Sequence, residues 1–376
     1  MKTKRRNIIG RLCPLRLALL LLSAGVIWLQ RALRGNHALM ARLSDRRVRP
    51  LLQTLGEKCA QVPYSVAELV MALAALGLVL YILFCIEHTH RRGGFFRQVY
   101  RFVLTLACLA AMVYAGFCVL WGVYYYGDDF ITRSGLRQEE ISTEQLSLVT
   151  AYFAGLANTY SAYVPRGEDG ACALDREAVL ARSGEVYAPL EQDFPCLAGA
   201  PLRAKGVRLS RVMSDLDFTG FFFPFTGEAN VNTDFPSALF PVTVAHELAH
   251  QRGVAKEQEA NFVAVLACLR YGDAEYVYSA SLLAYTHLSN ALLSADHAAW
   301  EQIRAGVNEA VRCDLDASRR YWAAFETPVQ EVSNTVYESF LHSYDQTLGL
   351  QSYGACVDLL VKYYYDSVAA LYGGEA

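Results

Sequence analysis

The segment His246-Glu247-Leu248-Ala249-His250 has the residue types and the spacing of a metal-binding helix. Residues four apart on a helix share a face, so the two imidazoles can bind one metal ion, and Zn²⁺ is the expected ion. Glu247 lies beside them, where it can accept a proton from a water molecule on the metal instead of binding the metal. Pro241 suits the first turn of this helix, and Gly253 suits its end.

A zinc site of this kind takes three protein ligands, and one helical turn supplies only two. The segment Glu257-Gln258-Glu259-Ala260-Asn261 opens the next apolar stretch of the chain. We expect Glu257 to be the third ligand, with Glu259 as the alternative. Asn261 lies four residues after Glu257 on the same helical face, where its amide can hold the first helix through a hydrogen bond behind the ligands.

These two segments resemble those of the gluzincin metallopeptidases, in which H-E-x-x-H is followed by a ligand glutamate and, four residues later, by an aspartate. Asn261 stands in place of that aspartate, which changes the charge behind the ligands. Lys256 stands where the metzincins have a third histidine, so that subclass is disfavoured.

The whole chain also resembles a bacterial family of unknown function that has three N-terminal membrane helices and a zincin-like domain. Residues 224–232 (PFTGEANVN), 246–253 (HELAHQRG) and 257–262 (EQEANF) carry the resemblance, and Ser352-Tyr353-Gly354 is a weaker match. The resemblance implies a fold and a metal site, and it names no substrate.

In zincins a strand just before the active-site helix often pairs with an extended substrate peptide. The candidate here is Asn230, Val231 and Asn232, and an ordinary core strand is the alternative. An oxyanion stabiliser should be a tyrosine or histidine that faces the zinc from a later helix, and Tyr278 is our choice for this role. Tyr285 and His287 lie on the same stretch of sequence.

Charge divides the chain into two parts. Residues 1–126 carry 17 basic and 4 acidic side chains, a net charge of +13, whereas residues 127–376 carry 17 basic and 33 acidic ones, a net charge of −16. The basic part also holds the long apolar stretches, so its charge fits the flanks of membrane helices better than a nucleic-acid surface. With 53% hydrophobic residues, a small net charge and 10 cysteines in 376 residues, the composition excludes a disordered chain and a small disulfide scaffold.

Three stretches of the N-terminal part are long and apolar enough to cross a bilayer as helices: residues 12–33, 66–86 and 99–126. The first follows a basic cluster and lacks a small-residue cleavage site, so we expect an uncleaved anchor and not a signal peptide. Ten basic residues flank the ends that would face the cytoplasm, against seven in the first loop. This count favours a cytoplasmic N-terminus and an extracytoplasmic C-terminal domain in the cell membrane.

Residues 127–376 form the second predicted domain, which we expect to be α+β with helices dominant. Ser142 and Gln145 indicate the capped start of a helix over residues 142–160, and residues 207–232 resemble a small, irregular sheet. Further helical patterns cover 242–269, 276–293, 299–325 and 356–371. Five cysteines lie in this part; a Cys172–Cys196 disulfide is conceivable, and free buried thiols are the preferred interpretation.

The sequence therefore predicts a membrane-anchored zinc metallopeptidase whose partners are a peptide or protein substrate and membrane lipid, with no nucleic acid. The alternative is a membrane sensor or scaffold whose zinc site is structural or vestigial. A purely structural site needs no general base, so the intact Glu247 counts against that alternative. Cleavage inside the bilayer is disfavoured because the apolar run before His246 is too short to span it.

Overall fold

The computed structural model describes residues 13–136, 140–344 and 353–373, and the chain divides into two compact units. The first unit comprises Met1–Leu52, Val66–Asp128 and Pro224–Thr226, and the second comprises Gln53–Ser65, Asp129–Phe223 and Gly227–Ala376. The main break follows Asp128, two residues from the boundary drawn on the sequence. The segment 53–65, which the sequence division placed with the membrane part, belongs to the second unit.

The N-terminal part of the chain is helical throughout most of its described length. Its helices are α1 (Pro14–Leu33), α2 (His37–Leu43), α3 (Arg49–Cys59), α4 (Val66–Arg92) and α5 (Phe95–Leu120), with a π-helical turn at Ser44–Val48 and a 3-10 turn at Tyr124–Tyr126. Of these helices, α1, α4 and α5 are long and apolar enough to cross a membrane. Most of the apolar side chains of α4 are exposed, which suits contact with lipid and associates the chain with a membrane.

The ends of the apolar helices differ from the predicted ends for local reasons. Helix α4 continues to Arg92 because His88 and its neighbours extend the helix beyond the apolar stretch, until Gly93 and Gly94 adopt the left-handed conformation. Helix α5 ends at Leu120, where Trp121 leaves the helical conformation. Leu12, the start of the first predicted stretch, lies outside the described residues.

The second unit is a helical domain with one small sheet, which confirms the predicted fold class. Its elements are α6 (Phe130–Ser134), α7 (Thr143–Tyr160), α8 (Arg176–Arg182), β1 (Lys205–Val207), α9 (Ser210–Asp215), β2 (Gly220–Phe223), β3 (Glu228–Asn232), α10 (Phe240–Gln251), α11 (Glu257–Tyr271), α12 (Ala274–Ala295), α13 (His297–Ala305), α14 (Glu309–Ala323), α15 (Pro328–Ser343) and α16 (Tyr353–Gly373). Short 3-10 turns lie at Ser183–Glu185, Pro195–Leu197 and Ser237–Leu239.

The sheet has the strand order β1-β3-β2, so β3 is its central strand. β3 pairs in parallel with β1, where Gly206 is opposite Val231, and antiparallel with β2, where Gly220 is opposite the same residue. Every residue of β3 is buried. Only seven residues, which include the 3-10 turn at Ser237–Leu239, separate β3 from α10, so the sheet fixes where the H-E-x-x-H helix begins.

The core of the second unit lies among its long helices. Helix α12 packs along α7, α10 and α11, and α16 packs against α7, α11 and α12. At the start of α7 the side chain of Ser142 accepts a hydrogen bond from the backbone of Gln145, whose side chain accepts one in return, as the sequence predicted. The pattern predicted over 242–269 is two helices, because Gly253 adopts a φ of 82° after α10 and the chain turns there.

None of the ten cysteines forms a disulfide, and Cys172, Cys268 and Cys356 are buried, in line with the preferred interpretation of the thiols. Cys172 is buried, while Cys196 is half-buried, and no bridge joins them. Burial raises the pKa of Cys172 to about 12, so its thiol stays protonated at neutral pH.

Candidate metal centre

Helix α10 presents its two histidines from consecutive turns. Their ring centroids are 4.7 Å apart and the ring planes are almost perpendicular. The helix is fixed on both sides, since Val242 donates its backbone N–H to the hydroxyl of Ser279 at 3.0 Å and Tyr187 donates its hydroxyl to the carbonyl of Ala245 at 2.7 Å. The histidine pair is therefore held by a rigid, buried helix.

Glu257 reaches the histidines from the first turn of α11. Its Oε2 atom lies 3.1 Å from Nε2 of His246 and 3.6 Å from Nε2 of His250. The three side chains offer ligand atoms that all lie within 4.8 Å of one another. The loop between α10 and α11 thus folds the expected third ligand back onto the first two.

The other ring nitrogens of the histidines are held from behind. Nδ1 of His246 donates to Oδ1 of Asn261 at 2.8 Å, and Nδ1 of His250 donates to the carbonyl of Val254 at 2.7 Å. In a neutral imidazole with its proton on Nδ1, Nε2 carries a lone pair. Both lone pairs therefore face the carboxylate oxygen of Glu257. Because all three atoms are acceptors that repel one another, a cation or a proton must lie among them.

The proximity of the histidines and Glu257 also shifts the pKa values of His250 and Glu257. Burial would lower the pKa of His250, but the nearby Glu257 carboxylate outweighs it and raises that pKa to about 9. Burial would raise the pKa of Glu257, but the two histidines hold it well below its usual value. The site therefore favours positive charge between the histidines and a negative charge on Glu257.

Glu247 lies on the same helix and does not join the three ligand side chains. It is 4% exposed, and its Oε2 atom has no hydrogen-bond partner among the described residues. Burial raises the pKa of Glu247 to about 7, with smaller opposing effects from the two histidines. A carboxylate in this state can accept a proton near neutral pH.

The spacing of the three candidate ligand atoms can be compared with that of a tetrahedral zinc site. In a tetrahedral site with zinc–ligand bonds of about 2.0–2.1 Å, two ligand atoms lie about 3.3 Å apart. The two separations that involve Oε2 of Glu257, 3.1 and 3.6 Å, bracket this value, and all three candidate ligand atoms lie within 4.8 Å of one another. Two imidazole nitrogens and one carboxylate oxygen are also the donor set of many hydrolytic zinc sites, which keep a fourth position open.

Glu259, the alternative ligand, takes a different place. Its Oε2 atom accepts a hydrogen bond from the backbone N–H of Phe130 at 2.8 Å, and its Oε1 atom lies 3.9 Å from the amine of Lys256. Burial, and then the charge of Asp129, raise the pKa of Glu259 to about 7. Its side chain points to the N-terminus of α6 because residues 257 and 259 lie on different faces of α11.

Tyr278 lies on α12 but does not contact the three ligand side chains. Its hydroxyl donates to the carboxylate of Asp314 and accepts a hydrogen bond from Arg166 at 3.3 Å, and the side chain is fully buried. Position along the chain could not separate this tyrosine from the other tyrosines of the later helices. In the structure the Tyr278 hydroxyl is held by Asp314 and Arg166, and its role as oxyanion stabiliser stays a prediction.

The expected substrate strand also needs correction. Asn230, Val231 and Asn232 belong to β3, which is central, fully buried and paired on both sides, so its backbone is not available to a peptide. The neighbouring edge strand is β2, and Gly220 at its start is close to Glu247. A Cβ atom added at Gly220 would lie 2.5 Å from Oε1 of Glu247.

The structure adds one residue that the sequence did not point to. Tyr337, on α15, donates its hydroxyl to Oε1 of Glu257 at 2.8 Å. The two residues are 80 positions apart, and α15 itself was not among the predicted helices. No motif surrounds Tyr337, so only the tertiary structure reveals this contact.

The fold and the site together define a class of protein. It is a membrane-associated chain with three apolar helices and a helical second unit in which His246, His250 and Glu257 converge. The sequence profile of the family described as "Protein of unknown function (DUF3810)" matches residues 47–361, and the chain belongs to this family. No curated protein matches the chain, and no solved structure does so.

Proposed function

We propose that this protein is a membrane-anchored, zinc-dependent peptidase of the zincin type. One observation carries the proposal: three lone-pair donors, from His246, His250 and Glu257, converge beside the buried and unpaired carboxylate oxygen of Glu247. A structural zinc site would need the ligands but would have no use for a buried carboxylate next to them.

The residues of this chain divide the work of hydrolysis among them. When bound, zinc would supply Lewis acidity, which lowers the pKa of a water molecule so that it can lose a proton and attack a carbonyl near neutral pH. Glu247 takes up the proton of that water and delivers it to the leaving amine, a role that suits a carboxylate whose pKa is about 7. Asn261 and the carbonyl of Val254 keep both Nε2 atoms directed at the ion.

An extended peptide is the substrate form that fits the sheet. β2 is an edge strand, its four residues are half-buried, and its first residue abuts Glu247. A peptide that paired with β2 on the side away from β3 would carry its backbone past the proposed general base, Glu247. The missing side chain of Gly220 leaves the space that such a backbone and the Glu247 carboxylate require.

We also propose that the second unit lies outside the cytoplasm. If each of the three apolar helices crosses the membrane once, the segments before α1 and after α5 lie on opposite sides, and the basic residues before α1 favour a cytoplasmic N-terminus. This arrangement gives the enzyme access to extracytoplasmic or membrane-attached proteins.

The test uses the full-length chain in detergent with a fluorogenic peptide library as substrate. We expect the wild type to contain about one zinc per chain and to hydrolyse members of the library. Glu247→Gln should keep the zinc and lose hydrolysis, because it removes only the proton acceptor. His246→Ala should lose both the zinc and the activity.

Glu301→Gln, at a side chain that is 66% exposed on α13, is the matched control and should behave like the wild type. Hydrolysis that persists in Glu247→Gln would refute the proposal. A wild type that binds zinc but cleaves no peptide, with Glu247→Gln indistinguishable from it, would instead favour a sensor or scaffold.

A further inference from the structure

The carboxylate of Glu257 has two oxygens, and the structure gives them different partners. Oε2 faces the histidines, 3.1 Å from Nε2 of His246, whereas Oε1 accepts the hydroxyl of Tyr337 at 2.8 Å. A carboxylate next to a metal can bind it through one oxygen or through both. The hydroxyl of Tyr337 thus occupies Oε1, the oxygen with which Glu257 would form a second bond to a metal.

Tyr337 is held in place by contacts that do not involve the ligands. On the same face of α15, Ser333 donates to the carbonyl of Leu216 at 2.9 Å, and Asn334 donates to the carboxylate of Asp217 at 3.0 Å. The ring of Tyr337 packs edge-on against Phe218, with the centroids 5.5 Å apart. The hydroxyl is therefore positioned by the turn before β2, independently of Glu257.

The number of oxygens that Glu257 contributes decides how many positions of the metal are filled. Two imidazole nitrogens and one oxygen leave the fourth tetrahedral position open, as a hydrolytic zinc site requires. A second oxygen from the same carboxylate would crowd that position. A hydrogen bond to Oε1 also fixes the carboxylate plane, which reduces the disorder that metal binding must overcome.

We propose that Tyr337 is a positioning residue that keeps Glu257 a one-oxygen ligand, so that the metal retains an open position. This inference rests on the proposed function, because it assumes that His246, His250 and Glu257 bind a metal. Tyr337 acts through Glu257 and needs no contact with the substrate. Helix α15 is then part of the site, although it begins 71 residues after the start of α11.

The deciding variant is Tyr337→Phe, which removes the hydroxyl and leaves the ring against Phe218. We expect its zinc affinity, measured on the full-length chain by competition with a chelating dye, to fall about 10- to 100-fold. With Co²⁺ in place of zinc, the visible absorption of the variant should weaken, because a higher coordination number lowers its intensity. A role of Tyr337 in folding alone would leave the spectrum unchanged.

Two further variants make the result specific. Tyr163→Phe, at a side chain that is 68% exposed, is the matched control and should keep the affinity and spectrum of the wild type. Asn334→Ala retains the hydroxyl but loses one anchor of α15, so it should shift both measurements in the same direction by a smaller amount. It provides the test if Tyr337→Phe does not fold.

The outcomes separate this inference from the proposed function. If Tyr337→Phe and Asn334→Ala keep the zinc affinity and the Co²⁺ spectrum of the wild type, the positioning role is overturned while the peptidase proposal stands. If the wild type binds neither Zn²⁺ nor Co²⁺, the proposed function fails first and the inference fails with it.

Discussion

Each histidine of the candidate centre has one nitrogen committed to the protein and one directed at the ligand cluster. Asn261 and the carbonyl of Val254 accept from the Nδ1 atoms, so the direction of both Nε2 lone pairs is set before any ion arrives. The sequence predicted Asn261 through its spacing from Glu257. It could not predict Val254, because a backbone carbonyl has no residue type by which to recognise it.

The substitution Gly220→Ala adds one methyl group and tests whether the position of the proposed general base, Glu247, matters for hydrolysis. In Gly220→Ala the added Cβ would lie 2.5 Å from Oε1 of Glu247, a distance at which the carboxylate must move. We expect hydrolysis to fall at least about tenfold, since a displaced base loses its geometry, while the zinc content stays at the wild-type level.

The matched control for this prediction is Gly155→Ala. Gly155 lies on α7, and an added Cβ would meet no atom within 4 Å, so its activity should not fall. Equal activity of both alanine variants would show that the space beside Glu247 is not required.

At the scale of elements, residues that start or stop helices predicted the helix ends correctly, because those ends depend on neighbouring residues alone. Pro241, Gly253 and the Ser142–Gln145 capping box marked helix ends that the structure contains. The order of strands in the sheet and the docking of α15 depend on contacts between distant segments. For that reason the sequence could not decide whether Asn230, Val231 and Asn232 form a substrate strand or a core strand, and it missed Tyr337.

A half-buried ion pair ties the N-terminus of helix α6 to the loop between α10 and α11. Lys256, next to Glu257, donates to the carboxylate of Asp129 at 2.5 Å, and Arg133 donates to the carbonyl of Gly253 at 2.8 Å. Partial burial would raise the pKa of Asp129, but the hydrogen bonds from Lys256 and Thr132 outweigh it and lower the pKa. The charged carboxylate is therefore favoured in the folded state.

This shift predicts how stability depends on pH. A lowered pKa in the folded state adds stability above the unfolded value, about 3.9, and the gain is lost as the pH falls through the folded value. Asp129→Asn should thus be less stable than the wild type by about 1 kcal/mol or less above about pH 5.

The difference between Asp129→Asn and the wild type should shrink as the pH falls below about 3.9. Thermal unfolding in detergent, measured from neutral pH down to about pH 3, tests this. Asp316→Asn, at an exposed ion pair on α14, is the control. A stability difference that grew as the pH fell would contradict this assignment.

For the whole molecule, the proposed membrane crossings of the apolar helices predict on which side of the membrane the second unit lies. Under the proposed topology the N-terminus is cytoplasmic and all three apolar helices cross the membrane, so the second unit would lie outside the cytoplasm. A reporter enzyme that is active only outside the cytoplasm, fused after Ala376, should therefore be active. A reporter fused to the loop between α4 and α5 should lie on the cytoplasmic side and be inactive, and the reverse pair of results would invert the topology.

The segment 53–65 has a consequence for how the protein is made and how it could be cut. Lys205 donates to the carbonyls of Cys59 and Tyr64, and Ser65 donates to Asn230 of the central strand, so residues on both sides of the α4–α5 hairpin build one unit. During synthesis the hairpin must therefore emerge before the sheet can close. A protease that cut after Asp128 would release a fragment without residues 53–65, which belong to the second unit. A single cut at this position would therefore not yield the complete second unit.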